Sequence, residues 1–263
     1  MAIDKTQPPI EARGLRSQFG QNVIHEDLNF RVKLGEIVGL VGGSGSGKSV
    51  LMNTLLGLKE PEAGIIRYFG QNRRDLLPSE RREINNEMGV LFQGGALFSS
   101  MTVRQNIMVP LREHTDISVK LMRELADMKI HMVGLPSEAA TLYPADLSGG
   151  MKKRAGLARS LALDPEILFL DEPTAGLDPI GANAFDELIL GLREAMNLTV
   201  LMVTHDLDSL YAICDRVAVL VDKHIAIADT LAKVMEYDHP WIREYFGGPR
   251  SRAAMTAGSK GQD

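Results

Sequence analysis

The segment EIVGLVGGSGSGKS (36–49) joins a short apolar run to a glycine-rich loop that ends in lysine and serine. Residues 42–49 fit the phosphate-loop pattern G-x-x-x-x-G-K-S/T, with a strand-like run before them and a helical pattern at 48–58 after them. Main-chain N–H groups of such a loop converge on phosphate oxygens at a helix N-terminus, while Lys48 adds a cation and Ser49 offers a hydroxyl to Mg²⁺. A flexible glycine linker explains neither the lysine nor the preceding strand. The sequence therefore predicts that ATP or GTP binds here.

Further apolar runs, rich in β-branched residues, predict strands that are covered on both faces, as in a parallel α/β sheet. Together with 36–42, these runs are 88–93, 166–171, 199–205 and 216–223, and helical patterns occupy 180–196 and 207–213. About the first seventy residues instead contain apolar stretches separated by polar turns, which predicts an antiparallel β layer. We expect an α/β fold: a phosphate-loop NTPase core with a mostly parallel sheet and an N-terminal antiparallel β layer.

Residues from about 94 to 164 contain no convincing strand, and we interpret them as an inserted α-helical subdomain. The clearest helix in it is 118–134, whose apolar residues recur at helical spacing and are interpreted as core packing. These residues are Val119, Met122, Leu125, Met128 and Met132.

The composition limits the functional classes. With 263 residues and 44% hydrophobic side chains, the chain is expected to form a single domain at 1–246, followed by a disordered tail at 247–263. No apolar run approaches the ~20 residues that span a bilayer, and nothing resembles a secretory signal, so a cytoplasmic location is expected. Cys214, the single cysteine, is interpreted as a small buried hydrophobe. The net charge of −5 argues against nucleic acid as the principal partner.

Two adjacent carboxylates, Asp171 and Glu172, follow the buried run at 166–171. Ligands of open α/β sheets bind at the carboxyl ends of the strands, so these side chains are expected at the nucleotide. Asp171 can hold the Mg²⁺ shell, and Glu172 can orient or deprotonate an attacking water. His205 and Gln93 also end apolar runs, where they could reach a γ-phosphate, the metal or the water, although alone each would carry little weight.

A second glycine pair lies in DLSGGMKKRAGLARSLAL (146–163), ahead of a basic helical pattern. Ser148, Gly149 and Gly150 would form a helix N-terminus with exposed N–H groups, which is an anion site in its own right. Since the chain has one phosphate loop, a two-fold dimer could bring each such N-terminus against the partner's nucleotide. By itself, the stretch is equally well explained as a serine N-cap followed by glycines that allow a tight turn into the helix.

The ordered set GGSGSGKS, LFQ, LSGGM, ILFLDEPTAGLDP and VTHD closely resembles the ATP-binding cassette (ABC) ATPases of membrane transporters, over nearly the whole chain. The resemblance implies adenine stacking by Phe19, a lid-loop role for Gln93, a catalytic role for Glu172, a dimer-crossing position for Asp178 and a switch role for His205. It also implies that the following residues bind the nucleotide: Gly42, Gly43, Ser44, Gly45, Ser46, Gly47, Lys48, Ser49, Val50, Ser148, Gly149 and Gly150. The implied metal ligands are Ser49, Gln93 and Asp171, with ATP and Mg²⁺ as cofactors. The family usually has glutamine where this chain has Met151, a change that leaves the serine and glycine contacts intact.

Within that family, LFQGGALFSSMTVRQNIMVPLREHT (91–115) and Met151 resemble the branch that powers Mla and Mce-type phospholipid transport in Gram-negative envelopes. That resemblance implies a homodimer of ATPase subunits on the cytoplasmic face of the inner membrane. The implied partners are an integral-membrane permease, a periplasmic Mce-domain protein and a small STAS-domain regulator, with no nucleic acid.

Two other functions remain open from the sequence. One is the ATPase subunit of an importer for amino acids or another small polar solute. The other, from a different class, is a soluble ATPase acting on DNA or the ribosome. DNA-repair relatives carry a long coiled-coil insertion for which about 100 residues between the phosphate loop and LSGG are too few, and ribosome-acting relatives carry two cassettes.

Overall fold

The computed structural model describes residue 4 and residues 6–248 of the chain. In this part of the chain the strands are β1 (Ile10–Phe19), β2 (Asn22–Val32), β3 (Ile37–Val41), β4 (Ala63–Tyr68), β5 (Gln71–Asn72), β6 (Met88–Leu91), β7 (Ile167–Asp171), β8 (Thr199–Val203), β9 (Arg216–Val221) and β10 (His224–Asp229). The α-helices are α1 (Lys48–Leu55), α2 (Pro78–Asn86), α3 (Val103–His114), α4 (Val119–Met132), α5 (Gly149–Ser160), α6 (Pro179–Met196), α7 (Leu207–Ile213), α8 (Leu231–Glu236) and α9 (Pro240–Gly247).

The chain divides into two compact units. The first unit comprises Met1–Glu83 and Thr199–Asp263, and the second comprises Ile84–Leu198. Each unit contains parallel strands and helices, and the first also contains an antiparallel layer, which confirms the predicted fold class. The boundaries predicted for the single domain and its helical subdomain stay predictions, and residues 249–263 of the predicted tail lie outside the described residues.

The strands β10, β9, β3 and β8 of the first unit lie side by side in that order. β3 pairs in parallel with both β8 and β9, while β10 is antiparallel to β9. Every residue of β3 and β8 is buried, which explains why their sequences are continuously apolar. Because Leu40 pairs with Val203, the loops that follow β3 and β8 leave the same edge of the sheet.

The antiparallel layer of the first unit has the strand order β2-β1-β4-β5. Its long strands bury some side chains and expose others, as expected for a sheet with one covered face. Ile10, Ala12 and Leu15 of β1 are buried with Leu28 and Phe30 of β2. The predicted N-terminal β layer is therefore confirmed.

The second unit contains the parallel pair β6 and β7, in which Leu91 lies opposite Leu170. The described residues from 94 to 164 hold α3, α4, α5 and short 3₁₀ turns, with no strand. Side chains at the N-caps start all three helices: Thr102 forms a capping box with Gln105 ahead of α3, and Ser118 and Ser148 accept main-chain hydrogen bonds ahead of α4 and α5.

The buried face of α4 differs from the predicted one. Val119 is 57% exposed and Met128 is 44% exposed, so the core-packing interpretation is wrong for these two residues. The face that packs inward instead consists of Met122, Ala126, Lys129 and Ile130. Lys129 is 1% exposed because its ammonium pairs with the carboxylate of Asp164, and a lysine at a packing position is hidden from a search for apolar spacing.

Several elements of the structure have no counterpart among the predicted ones. In α2 only Ile84 is buried, so this helix has no apolar stripe to reveal it. β10 and the terminal helices α8 and α9 were likewise not predicted. Cys214 is half-buried and packs against the core cluster of the first unit, in partial agreement with its predicted role. Across the described residues, no helix is both long enough and apolar enough to cross a bilayer.

Candidate nucleotide site

The phosphate loop connects β3 to α1, as the sequence predicts. The Nζ atom of Lys48 donates to the main-chain oxygens of Gly42 over 2.8 Å and Gly43 over 3.1 Å, so the lysine lies back across its own loop. Gly47 has φ of 101° at the N-cap of α1, a conformation that favours glycine. Ser44 and Gly45 are exposed at the tip of the loop, Ser49 is exposed in the first turn of α1, and Val50 beside it is half-buried.

The space around the loop fits a phosphate group. A Cβ atom at Gly42 would lie 2.4 Å from the main-chain oxygen of Leu220, so a close approach to β9 excludes any side chain there. Gly45 has φ of 76°, and a Cβ atom there would meet nothing within 4 Å. Ser46 Oγ is buried and has no hydrogen-bond partner in the described structure. A buried hydroxyl without a hydrogen-bond partner, close to the N-terminus of α1, fits an anion site.

His25 of β2 lies beneath the loop and was not predicted as a functional residue. It is fully buried, and its Nε2 atom lies 3.1 Å from the main-chain oxygen of Gly47, which only accepts, so Nε2 carries the proton. Its Nδ1 atom is buried without a partner. Burial lowers the pKa of His25 to about 4, which keeps the imidazole neutral at pH 7.

Phe19, the predicted adenine-stacking residue, ends β1 and is 57% exposed. It borders an open pocket of about 360 Å³ that is also lined by Val50, Asn53, Leu58 and Lys59. The Nζ atom of Lys59 lies 4.8 Å from the centre of the phenyl ring. The pocket begins at the first turn of α1 and offers an accessible aromatic ring on which a base can stack.

His205 lies two residues beyond β8, on the sheet edge from which the phosphate loop also leaves. Its side chain is exposed, and the segment turns into α7 through Asp206, which is the N-cap of that helix. The parallel pairing of β3 and β8 thus brings the predicted switch residue and the phosphate loop to one edge of the first unit.

In the second unit, the parallel pairing of β6 and β7 brings Gln93 and the two carboxylates to one edge of that strand pair. Gln93 is exposed in a 3₁₀ turn directly after β6, while Asp171 ends β7 and Glu172 follows it. Glu172 has φ of 49°, a left-handed conformation that costs a residue with a side chain about 1–2 kcal/mol. Backbone strain of this kind persists where surrounding contacts enforce it, and it clusters at functional sites.

Lys153 of α5 supplies one such contact. It is 7% exposed, and its Nζ atom donates to the main-chain oxygen of Glu172 over 2.9 Å. Burial lowers the pKa of Lys153, while the negative charges of Glu172 and Asp171 act in the opposite direction. The sequence reading missed this residue, although the basic run MKKR (151–154) directly after LSGG was its visible signal.

The N-terminus of α5 is built as the LSGG motif predicts. Ser148 is the N-cap, and its Oγ accepts the main-chain N–H of Met151 over 3.3 Å, so the Met151 side chain has no part in the cap. A Cβ atom at Gly149 would meet nothing within 4 Å, and one at Gly150 would meet only a Leu177 methyl group at 3.7 Å. Neither glycine has positive φ. The packing within this chain therefore does not require either glycine.

The same helix braces the segment after Gln93. Arg159 donates to the main-chain oxygens of Gly95 over 3.0 Å and Ala96 over 2.8 Å. Lys153 and Arg159 together connect α5 to both segments that carry the predicted catalytic residues of the second unit.

Asp178, predicted to cross a dimer, is the exposed N-cap of α6. Its Oδ1 atom accepts the main-chain N–H of Gly181 over 2.8 Å, and Pro179 occupies the first helical position. The cap alone explains an aspartate at this position, so the dimer role stays a prediction.

The segment that follows Gln93 contains four large apolar residues, and they differ in exposure. Val103 is fully buried, Leu97 and Met101 are half-buried, and Phe98 is 49% exposed. The Phe98 main chain is fixed, because its N–H donates to the Oδ1 atom of Asn106 over 2.8 Å. Phe98 is therefore the member of this set that offers an apolar side chain to a partner.

Comparisons with known proteins agree with these motifs. Residues 25–175 match the family model described as ABC transporter. The chain is 40% identical over 239 residues to the "Intermembrane phospholipid transport system ATP-binding protein MlaF" of Haemophilus influenzae, covering 91% of this chain and 90% of that one. It is 39% identical over 241 residues to the "Probable ribonucleotide transport ATP-binding protein mkl" of Mycobacterium leprae, covering 92% and 69%. Among solved structures, the dimeric ATP-binding cassette MJ0796 in a post-hydrolysis state with ADP and Pi matches with a TM-score of 0.76 at 28% identity, covering 84% and 98%.

Proposed function

The chain is an ATPase of the ABC transporter family, and from this premise we propose that it is the ATP-hydrolysing motor subunit of an inner-membrane transporter that moves phospholipid. The observation that carries the phospholipid assignment is the 40% identity to the Haemophilus influenzae protein, which extends over 91% of this chain and 90% of that one.

We propose that the loop at 42–50 binds the phosphates of ATP, with adenine against Phe19. Lys48 exchanges the carbonyls of Gly42 and Gly43 for phosphate oxygens, and the orphaned Ser46 hydroxyl gains a partner. Ser49, Gln93 and Asp171 would hold Mg²⁺, directly or through water, since oxygen atoms are its preferred ligands. When bound, the metal neutralises charge on the β and γ phosphates.

Glu172 is the proposed catalytic carboxylate. It accepts a hydrogen bond from a water molecule whose oxygen bonds to the γ-phosphorus, while the bond between that phosphorus and the β,γ-bridging oxygen breaks to give ADP and phosphate. The water proton passes to the carboxylate or to the phosphate product. His205 contacts the γ-phosphate and responds to its loss. Lys153 fixes the left-handed main chain from which the Glu172 side chain projects.

We further propose that two chains close on two ATP molecules, with Ser148, Gly149 and Gly150 contacting the nucleotide of the partner and Asp178 lying across the interface. The support is the open space around Gly149, where a Cβ atom would meet nothing within 4 Å of its own chain. A glycine that its own fold does not need is explained by a close approach from outside.

The proposed assembly lies on the cytoplasmic face of the inner membrane and includes an integral-membrane permease. A periplasmic Mce-domain protein and a small STAS-domain regulator complete it. Phe98 is the proposed contact to the permease, because it presents an apolar ring on a fixed main chain.

Transport of a polar solute is the second candidate. It is favoured by the relative from Mycobacterium leprae, whose name specifies ribonucleotide transport and whose identity is 39%. That match covers 69% of the relative, against 90% for the phospholipid-transport relative, so phospholipid remains the preferred substrate class.

The deciding experiment isolates the native complex, identifies its membrane subunit and reconstitutes it in vesicles. Labelled phospholipid should leave the vesicles or change leaflet only with ATP, and Glu172→Gln should stop the movement. ATP-dependent uptake of a labelled nucleotide, without phospholipid movement, would transfer the assignment to the second candidate. ATP hydrolysis unaffected by Glu172→Gln would contradict the catalytic assignment itself.

A further inference from the structure

The C-terminal helix α9 is held firmly at its start. His239 is its N-cap: the Nδ1 atom accepts the main-chain N–H of Trp241 over 3.2 Å. Since Nδ1 accepts, Nε2 carries the proton, and this nitrogen lies 3.1 Å from the Asp222 carboxylate in the turn between β9 and β10. Ile242 and Phe246 are buried in the core cluster of the first unit, which also contains Val41 at the end of β3. The helix thus shares a core cluster with the end of the strand that leads into the phosphate loop.

One face of α9 carries two aromatic residues a helical turn apart. Trp241 and Tyr245 are stacked, with ring centres 4.6 Å apart and planes inclined by 15°. The spacing of four residues places both rings on the same side of the helix. Their contacts beyond the helix lead to two different segments of the nucleotide site.

Tyr245 reaches the switch segment. Its hydroxyl donates to the main-chain oxygen of His205 over 3.0 Å, across forty positions in sequence. The His205 side chain remains exposed, so the bond fixes the main chain and leaves the imidazole accessible. A phenolic hydroxyl on a packed helix is a rigid donor, because the stacked ring restricts the tyrosine side chain.

Trp241 reaches the phosphate loop. A Cβ atom at Gly43 would lie 3.4 Å from the indole Nε1 atom and 3.9 Å from Cδ1, so the indole edge borders the space beside this glycine. The main-chain oxygen of Gly43 also accepts a hydrogen bond from Lys48 over 3.1 Å. The indole therefore lies beside the part of the loop whose carbonyl oxygens accept from the lysine.

We propose that α9 is a positioning element of the nucleotide site, in which Tyr245 fixes the His205 main chain and Trp241 supports the phosphate loop at Gly43. The proposal rests on the proposed role of His205 at the γ-phosphate. Neither aromatic residue touches the reacting atoms in this scheme. Loss of the Tyr245 hydroxyl lets the His205 segment shift, and displacements of about 1 Å from a productive geometry cost up to about a hundredfold in rate.

The first test compares Tyr245→Phe with Tyr237→Phe, a control at an exposed tyrosine of the first unit. Tyr245→Phe keeps the stacked ring and should lower kcat for ATP hydrolysis by about tenfold, with KM for ATP and Tm unchanged. Tyr237→Phe should match the parent. An unchanged kcat in Tyr245→Phe would overturn the positioning role. So would a rise in KM for ATP and a fall in Tm that are as large as the loss in kcat.

His205→Ala separates this inference from the proposed function. If His205→Ala hydrolyses ATP at the parental rate, the proposed role of His205 fails. If His205→Ala is inactive while Tyr245→Phe is fully active, only the role of α9 fails. If Tyr245→Phe added to His205→Ala causes no further loss, the two residues act as one unit, as the hydrogen bond requires.

The second test uses the fact that Trp241 is the single tryptophan of the chain. Intrinsic fluorescence therefore reports on one indole beside the phosphate loop. Titration with ADP should change its intensity or wavelength, with a midpoint equal to the Kd from calorimetry, and Lys48→Ala should move both midpoints together. Emission that stays constant at saturating ADP would contradict a supporting contact between Trp241 and the loop. This readout does not depend on the fate of the tyrosine variants.

Discussion

The Nζ atom of Lys153 donates to the main-chain oxygen of Glu172 over 2.9 Å, and Glu172 occupies a left-handed conformation with φ of 49°. The helix α5, which Ser148 caps, thus fixes the main chain of the residue proposed to activate water. Lys153 and Glu172 are hydrogen-bonded in the structure although they are nineteen positions apart in sequence. The carboxylate charges of Glu172 and Asp171 also favour a cation at this position.

Removing that hydrogen bond should impair catalysis more than nucleotide binding. Lys153→Met fills the same volume without a donor, and we expect kcat for ATP to fall at least about tenfold while KM changes less than about twofold. Lys153→Arg should recover part of the rate, because it restores a cationic donor. Lys152→Met is the matched control, because it removes one positive charge from the residue next to Lys153. Steady-state ATPase assays decide the question, and a parental kcat in Lys153→Met would exclude the positioning role.

Substitution of Gly149 by alanine should affect ATPase activity without lowering the stability of the fold. Gly149→Ala adds a methyl group where no atom of the chain lies within 4 Å, in the first turn of a helix, and should leave the free energy of unfolding unchanged or raise it by up to about 1 kcal/mol. ATP-dependent dimerisation and ATPase activity should nevertheless fall strongly.

The control for this prediction lies in the same helix. A Cβ atom at Gly156 would lie 2.8 Å from a Leu91 methyl group and 2.9 Å from the Cα atom of Gly95, so Gly156→Ala should destabilise the fold by about 1–3 kcal/mol. Urea denaturation and light scattering give the two quantities. A fully active Gly149→Ala dimer would contradict contact between this glycine and the partner's nucleotide.

Substitutions of the phosphate-loop lysine and of the proposed catalytic carboxylate should impair different steps, ATP binding and ATP hydrolysis. Lys48→Ala removes the cation and should weaken ATP binding, whereas Glu172→Gln should bind ATP normally and lose about 10²–10⁴-fold in hydrolysis rate. Glu172→Gln should also accumulate as an ATP-dependent dimer in analytical ultracentrifugation, since it cannot reopen through hydrolysis. Rapid hydrolysis by this variant would remove Glu172 from the mechanism.

A mixed dimer tests whether the two halves of each site come from different chains. One chain with Lys48→Ala and the other with Ser148→Arg would place both lesions in one site and leave the second intact. ATPase activity above that of either mutant homodimer supports the arrangement. A disulfide formed within one chain between cysteines placed at Gly45 and Ser148 would contradict it.

The buried His25 should make the folded state sensitive to acid. Its pKa is about 4 in the folded chain against an ordinary value of 6.5, so between these values the unfolded chain binds more protons. This contribution to stability is complete above pH 6.5 and is lost as the pH falls toward 4, by about 3 kcal/mol in all. The physical cause is burial, with no acceptor present for a proton on Nδ1.

Urea denaturation between pH 4 and 7 measures this effect. In His25→Leu the free energy of unfolding should depend less steeply on pH, even if its value at pH 7 is lower because the bond to Gly47 is lost. His114→Gln, at an exposed histidine of α3, should keep the parental slope. An identical slope in His25→Leu and the parent would refute the prediction.

The sequence identified the parallel strands because burial on both faces leaves continuous apolar runs, and every residue of β3 and β8 is indeed buried. It identified the phosphate loop because its chemistry lies in consecutive residues. His25, Lys153 and Tyr245 escaped notice because each acts through a main-chain oxygen far away in sequence. Residues of this kind have no spacing that a pattern can reveal. The assignments of Gln93, Glu172 and His205 remain predictions that the proposed variants test.

The serine cap of α5 has a consequence for how this motif varies between proteins. Ser148 Oγ is bonded to the N–H of Met151, a group that every residue except proline provides. The cap thus places no constraint on the side chain at position 151, which can change without altering the hydrogen bond to Ser148. A residue other than glutamine at this position therefore leaves the N-terminal cap of α5 intact.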